Sequence, residues 1–262
     1  MIEKLISDTL DQMEGRFSII LKDLRGGRVC FEKEADRQVP SASTIKILIM
    51  IEAFRQYLLG SISPEDKVSV RNEDKVGFSL LTEMSTAQLN LGDILMLMMT
   101  ISDNTATNVL IDILGMDKIN KTGEALGLKG TILQRKMMDF EAAARGLQNL
   151  TTPRDMVMLL EKLYRNEILT PAACEEMLKI MSVGADICKD SMIRDLPVDI
   201  RVAHKTGELD GINHDVGIVY SGDCDYALGV FATELKDNID GRKYLAEISK
   251  VVFDHINRLG GI

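Results

Sequence analysis

Ile2, Leu5, Ile6, Leu10 and Met13 recur at the three- and four-residue spacing of one helical face. The period then shortens. FSIILKDL (17–24) and RVCFEKE (28–34), joined at Gly26-Gly27, predict a β-hairpin. From Ser43 to about residue 184 nearly every clearly patterned segment is helical. Two of these helices share a start signal. Thr152-Pro153 with Asp155 combines an N-cap, a first-turn proline and a carboxylate three positions on, ahead of the stripe Met156, Leu159, Leu160 and Leu163. Thr170-Pro171, followed by Cys174, Met177, Leu178 and Met181, repeats the arrangement, which makes Cys174 a core residue. Beyond residue 200 the period becomes two: RVAHKTG (201–207), HDVGIVYSG (214–222) and DYALGVFATEL (225–235) predict an antiparallel meander. Tyr244, Leu245, Ile248, Val251, Val252, Ile256 and Leu259 then share the face of a closing helix.

Strands at both ends around a helical middle predict an α+β fold. The expectation is an antiparallel sheet built from both chain ends (1–42 and 185–262) with flanking helices, plus an inserted all-helical lobe (43–184). A cleft between the two is the natural place for a site.

Composition narrows the partners. The 262 residues are 45% hydrophobic and 27% charged, as in soluble globular proteins, and no run approaches the ~18 apolar residues of a membrane span. A formal net charge of −9 argues mildly against nucleic acid and anionic membrane surfaces as partners. Cys30, Cys174, Cys188 and Cys224 are scattered, with no C-x-x-C pair and no histidine at ligand spacing. No disulfide or zinc framework is therefore expected. MIEKLISDTLDQM has no apolar h-region or small-residue cleavage site. The sequence as it stands thus predicts a cytoplasmic protein, or a secreted or periplasmic one if a leader has been removed.

Three short motifs carry the chemistry. Ser43-Thr44-Ile45-Lys46 opens the apolar run KILIMIEAF, Ser102-Asp103-Asn104 lies between two helical patterns, and Lys205-Thr206-Gly207 ends a strand. A serine hydroxyl attacks only when a neighbouring base takes its proton, and a lysine three residues on lies on the same helical face. A helix N-terminus at Ser43 would favour developing negative charge and lower the Lys46 pKa. Each motif also has a plain structural reading. Ser-x-x-Lys is expected about once by chance in a chain of this length, and Ser, Asp and Asn are all good helix caps. Lys-Thr-Gly occurs twice. Lys121-Thr122-Gly123 falls near the end of a helix, where Lys and Gly are common, and only the copy at 205–207 sits on a strand that can edge a cleft. The ordered set, each member in its own kind of element, is the specific signal.

That set resembles the class A β-lactamase-like proteins of the penicillin-recognising serine enzymes over nearly the whole length, and TISDNTATNVLIDILG (100–115) and Thr152-Pro153 extend the likeness. The resemblance implies acyl-enzyme chemistry by a monomer on a small-molecule substrate, a β-lactam or related amide or ester, with no metal or organic cofactor. Ser43 would be the nucleophile, Lys46 its base or proton relay, and Ser102 the donor of a proton to the leaving nitrogen. Asn104 would hold the substrate's side-chain amide, Lys205, Thr206 and Gly207 would form the substrate-binding strand, and the N–H groups of Ser43 and Glu208 would make the oxyanion hole.

The sequence departs from the family at one step. Class A enzymes carry a loop motif Glu-x-x-Leu-Asn whose Glu activates the deacylating water. The corresponding stretch here is LQRKMMDFEAAARGLQNLTTP (133–153). With Arg135 aligned to the family's loop arginine, Met137 falls where the Glu belongs. Asp139 and Glu141 are nearby substitutes, displaced in register. HDVGIVYSG (214–222) also lacks the arginine that many relatives use for carboxylate binding. The expected function is β-lactam hydrolysis with slow deacylation. The alternatives are a D-Ala-D-Ala peptidase or esterase, and a non-catalytic binding module is disfavoured by the intact acylation set.

Overall fold

The computed structural model describes residues 2–85, 88–222 and 224–259. Its framework is one five-stranded antiparallel sheet, β1 (Arg16–Asp23), β2 (Val29–Lys33), β7 (Arg201–Leu209), β8 (Ile212–Tyr220) and β9 (Tyr226–Thr233), in the order β2-β1-β9-β8-β7. The N-terminal hairpin and the C-terminal meander meet where β1 pairs along its whole length with β9, from Arg16↔Thr233 to Asp23↔Tyr226. One sheet is thus closed from both chain ends, as the alternating patterns predict.

Helices cover both faces, so the central strand β9 is buried throughout. One face carries Ile19, Leu21, Leu228 and Val230 and packs against α1 (Ile2–Leu10) and α10 (Asn238–Leu259) through Ile6, Leu245, Ile248 and Val252. The other carries Ile20, Ala203, Val216, Ile218 and Phe231 and joins the helical core. That core comprises α2 (Lys46–Leu58), the short α3 (Leu80–Glu83), α4 (Leu91–Thr100), α5 (Asn104–Leu114), α6 (Met116–Leu126), the short α7 (Phe140–Ala144), α8 (Pro153–Tyr164) and α9 (Pro171–Ile187). Helix α2 is its centre. Residues 46–51 are all fully buried, which is why KILIMI shows no polar face.

Both predicted start signals form: Thr152 accepts from Asp155 N and Thr170 from Ala173 N, each with proline in the first turn. The Asp155 carboxylate does not complete a capping box. It turns outward to accept Gly130 N at 2.8 Å and Thr131 Oγ1 at 2.7 Å. The 43–184 stretch also contains strands that the pattern does not predict. β4 (Lys67–Ser69) pairs with β5 (Gln88–Asn90), and β6 (Leu150–Thr151) pairs with β3 (Val39–Pro40). Two or three residues show no period, so only their partners define them. The β3–β6 pair positions the site, because it ties the chain entering Ser43 to the start of α8.

Candidate active site

Ser43 lies in a 3-10 turn, Ala42–Ile45, that runs into α2 at Lys46. The sequence predicts an α-helical N-terminus at Ser43; the tighter turn instead brings residues i and i+3 into line, so Lys46 stands directly after Ser43 on one side. Side chains build the turn. Thr44 donates to Ser41 O from both its N–H (3.1 Å) and its hydroxyl (2.7 Å), and Ser41 N donates to Asn149 O at 2.8 Å. Ala42 is held at φ +45°, a left-handed backbone that costs a non-glycine residue on the order of 1 kcal/mol.

The Lys46 amine is fully buried, and its partners are neutral oxygens. Its Nζ donates to Ser102 O at 2.7 Å, Ser102 Oγ at 3.0 Å and Asn104 Oδ1 at 3.1 Å. Burial pushes its pKa well below the usual lysine range, Lys205 adds repulsion, and Asp103 opposes both. Asp103 is occupied elsewhere: its carboxylate caps α5 at Ala106 N (2.9 Å) and holds Leu81 N and Ser79 Oγ, both at 2.8 Å. The tripeptide therefore divides its contacts, with Asp103 fixing the loop while Ser102 and Asn104 face Lys46. Ser102 sits at φ +59°, which turns both its carbonyl and its hydroxyl toward that lysine.

Lys205 reaches the same hydroxyl from the sheet. Its Nζ donates to Ser102 Oγ at 3.2 Å and to Thr206 O at 3.0 Å. Burial pushes its pKa down to about 8 against the attraction of Asp215. Two lysine donors fill the two lone pairs of Ser102 Oγ and leave its own proton free to be given away. The other Lys-Thr-Gly has a packing role. In α6, Thr122 Oγ1 donates to the buried Glu52 at 2.6 Å, and a Cβ at Gly123 would lie 3.1 Å from Leu48 Cδ2, while Lys121 points to solvent.

β7 is one of the two edge strands of the sheet, and its open side faces the turn that carries Ser43. A Cβ at Gly207 would lie 3.0 Å from Ala42 Cβ and 3.1 Å from Ser43 N, so only glycine permits this approach. Thr206 is half-buried beside it, and the Glu208 side chain turns outward to Arg242 (2.8 Å) and Asn213 (3.0 Å). On the face of β7 opposite Lys205 and Gly207, His204 Nδ1 pairs with Asp215 at 2.9 Å, and Asp215 also accepts Met192 N at 3.1 Å. His214, on β8, bonds Pro40 O through Nε2 at 2.9 Å, and burial pushes its pKa down to about 4.

The 133–149 loop is clamped by three carboxamides, each bonded to loop backbone N–H and C=O. Asn120 takes Leu133 (both 2.8 Å). Asn149 takes Gln134 N (2.8 Å), Arg135 N and Arg135 O (both 3.0 Å). Asn108 takes Met137 N (2.7 Å) and Met137 O (3.0 Å). Met137 is buried. Asp139 caps α7 at Ala142 N (2.9 Å), and Glu141 is exposed in the first turn of that helix. Sequence patterns single out none of Asn108, Asn149, His204 or His214, because their partners lie outside their own motifs. Among the described residues, no group of three or more His, Cys, Asp or Glu is placed to hold a metal ion, and no helix is long and apolar enough to cross a membrane.

The fold has close counterparts among solved structures. The β-lactamase from Sphaerobacter thermophilus DSM 20745 superposes with a TM-score of 0.88 at 27% identity, over 97% of this chain and 96% of that one. PBP-A superposes with a TM-score of 0.88 at 24% identity (98% and 96% covered), as does the TLA-3 extended-spectrum β-lactamase at 23% (97% and 98%); at those identities the likeness is one of fold. The family model described as "Beta-lactamase enzyme family" matches residues 1–256. With that match over nearly the whole chain, the protein belongs to the β-lactamase enzyme family and is a serine hydrolase of the class A β-lactamase-like kind.

Proposed function

We propose that the protein opens β-lactam rings by acylating Ser43 and releases the product slowly. The observation that carries this reading is the convergence of two buried lysines on Ser102 Oγ, at 3.0 and 3.2 Å, one of them Lys46, three residues after Ser43. Lys46, which burial drives toward the neutral amine, takes the Ser43 hydroxyl proton as the oxygen attacks the lactam carbonyl. The N–H groups of Ser43 and Glu208 hold the resulting oxyanion, each worth a few kcal/mol to the transition state. As the C–N bond breaks, Ser102 passes its proton to the leaving nitrogen and is reprotonated from Lys46. Asn104 binds the acylamino side chain; Lys205 and Thr206 bind the carboxylate, with Gly207 leaving room for it beside the turn.

Hydrolysis of the ester requires a base for water, and Met137 cannot serve. Asp139 and Glu141 are the candidate substitutes, although Asp139 is engaged as a helix cap. A second reading, a D-Ala-D-Ala peptidase or esterase, draws on the same observation, because an apolar side chain at 137 suits an enzyme for which β-lactams are slow substrates. PBP-A, a point mutant of which is described as an acyl-enzyme complex with penicillin G, is a structural relative consistent with it. Intact-protein mass spectrometry after mixing with benzylpenicillin tests the shared step: one adduct on Ser43 is expected, and an adduct elsewhere or an undiminished one in Ser43→Ala overturns it. Catalytic as against stoichiometric opening of nitrocefin separates the two readings.

A further inference from the structure

His214 lies outside the three motifs and meets no substrate atom in the proposed reaction, yet it is tightly constrained beside the nucleophile. In the β7–β8 register it stands directly opposite Gly207. Its ring stacks on Phe231 with centroids 4.4 Å apart and planes 13° from parallel. Its Nε2 meets Pro40 O at 2.9 Å, and because a carbonyl only accepts, that nitrogen carries the proton. Pro40 has no N–H, so its carbonyl is the backbone group through which β8 can hold it. The next N–H, that of Ser41, is held from the other side by Asn149 O. Beyond these anchors come the left-handed Ala42 and then Ser43, whose N–H nitrogen lies against the edge of β7 at Gly207.

We propose that His214 is a positioning residue for acyl transfer. By tethering Pro40 to the strand next to the one that carries Lys205 and Glu208, it sets the separation between the Ser43 amide and the open edge of β7, the two sides of the oxyanion hole. This inference rests on the assignment of Ser43 as nucleophile, but the geometry it invokes can be measured without turnover.

The experiment compares wild type with His214→Phe, which keeps a ring on Phe231 and loses the donor, and His214→Gln, whose amide N–H can reach the same carbonyl. Thermal melting first confirms that both variants are folded. In single-turnover reactions with nitrocefin, the acylation rate of His214→Phe is expected to fall roughly 10- to 100-fold, the order that a misplacement near 1 Å costs, with no change in the dissociation constant of the preceding complex. His214→Gln is expected to recover most of the rate. Hydrogen exchange of the peptide covering residues 40–44 is expected to quicken in His214→Phe and return toward wild type in His214→Gln. Wild-type acylation by His214→Phe, or unaltered exchange over 40–44, overturns the proposal. If wild-type protein forms no Ser43 adduct, the functional reading fails on its own, and the exchange comparison still decides whether His214 positions the turn.

Discussion

A methyl group added at Gly207 would sit 3.0 Å from Ala42 Cβ, 3.1 Å from Ser43 N and 3.2 Å from Thr44 Cγ2. Ordinary contacts between such atoms lie near 3.5–4.0 Å, so in Gly207→Ala the strand and the Ser43 turn must part by about 0.5 Å. The obstacles cannot swing away. One is a backbone nitrogen, another is the Cβ of Ala42, already strained at φ +45°, and Thr44 is tied to Ser41 O by two hydrogen bonds. Gly207 itself does not have a positive φ, so the substitution tests spacing rather than backbone conformation. Oxyanion donors act at about 2.7–3.1 Å, and losing one costs roughly 10²–10³ in rate. A partial retreat should therefore slow acylation by about 10- to 100-fold, while overpacking lowers stability by about 1–3 kcal/mol. Stopped-flow acylation by nitrocefin together with a urea melt measures both. An unchanged acylation rate would mean that Ser43 N and the β7 edge do not act together on the oxyanion.

Lys205→Ala should weaken binding of carboxylate-bearing substrates, whereas Lys121→Ala should leave kcat/KM unchanged and stability within ~0.5 kcal/mol, since Lys121 is exposed; the reverse pattern in steady-state kinetics would reassign the motif. With the Lys205 pKa near 8, its charge is present below that pH and lost above it, so KM for a penicillin should rise as pH climbs through about 8, and a flat profile to pH 10 would contradict this. The same depressed value means the unfolded chain binds the extra proton between about pH 8 and 10.4, so Lys205 contributes roughly 3 kcal/mol to a rise of stability with pH across that window, beside the contribution of the similarly depressed Lys46, and Lys205→Met should reduce that slope in denaturant titrations by the Lys205 share. Met137→Glu should raise the steady-state rate after a nitrocefin burst by roughly 10²-fold or more by supplying a base to water; an unchanged rate would place the missing function elsewhere in the loop.

The features legible from residue order alone are those that short-range physics can encode. Amphipathic periods mark α1, α8, α9 and α10, alternation marks β1, β2 and the C-terminal meander, and the two Thr-Pro starts mark their caps. Each motif is readable because its members sit within four residues of one another, where a single turn or strand fixes their relation. Other features arise only when distant segments meet. The two- and three-residue pairs β3–β6 and β4–β5 exist only through partners nineteen or more residues away, so no local period betrays them. Asp103 and its neighbours Ser102 and Asn104 take opposite duties because Lys46 approaches from one side and the 79–81 segment from the other. The alternating strand around residues 205–207 marks that Lys-Thr-Gly copy in the sequence, but what each copy touches is decided only when α6 packs one against Leu48 and Glu52 while β7 sets the other against Ser43. The shifted pKa values of Lys46 and Lys205 and the hold of His214 on Pro40 are likewise properties of burial and of chain segments meeting across up to 174 residues, which only the assembled fold can bring about.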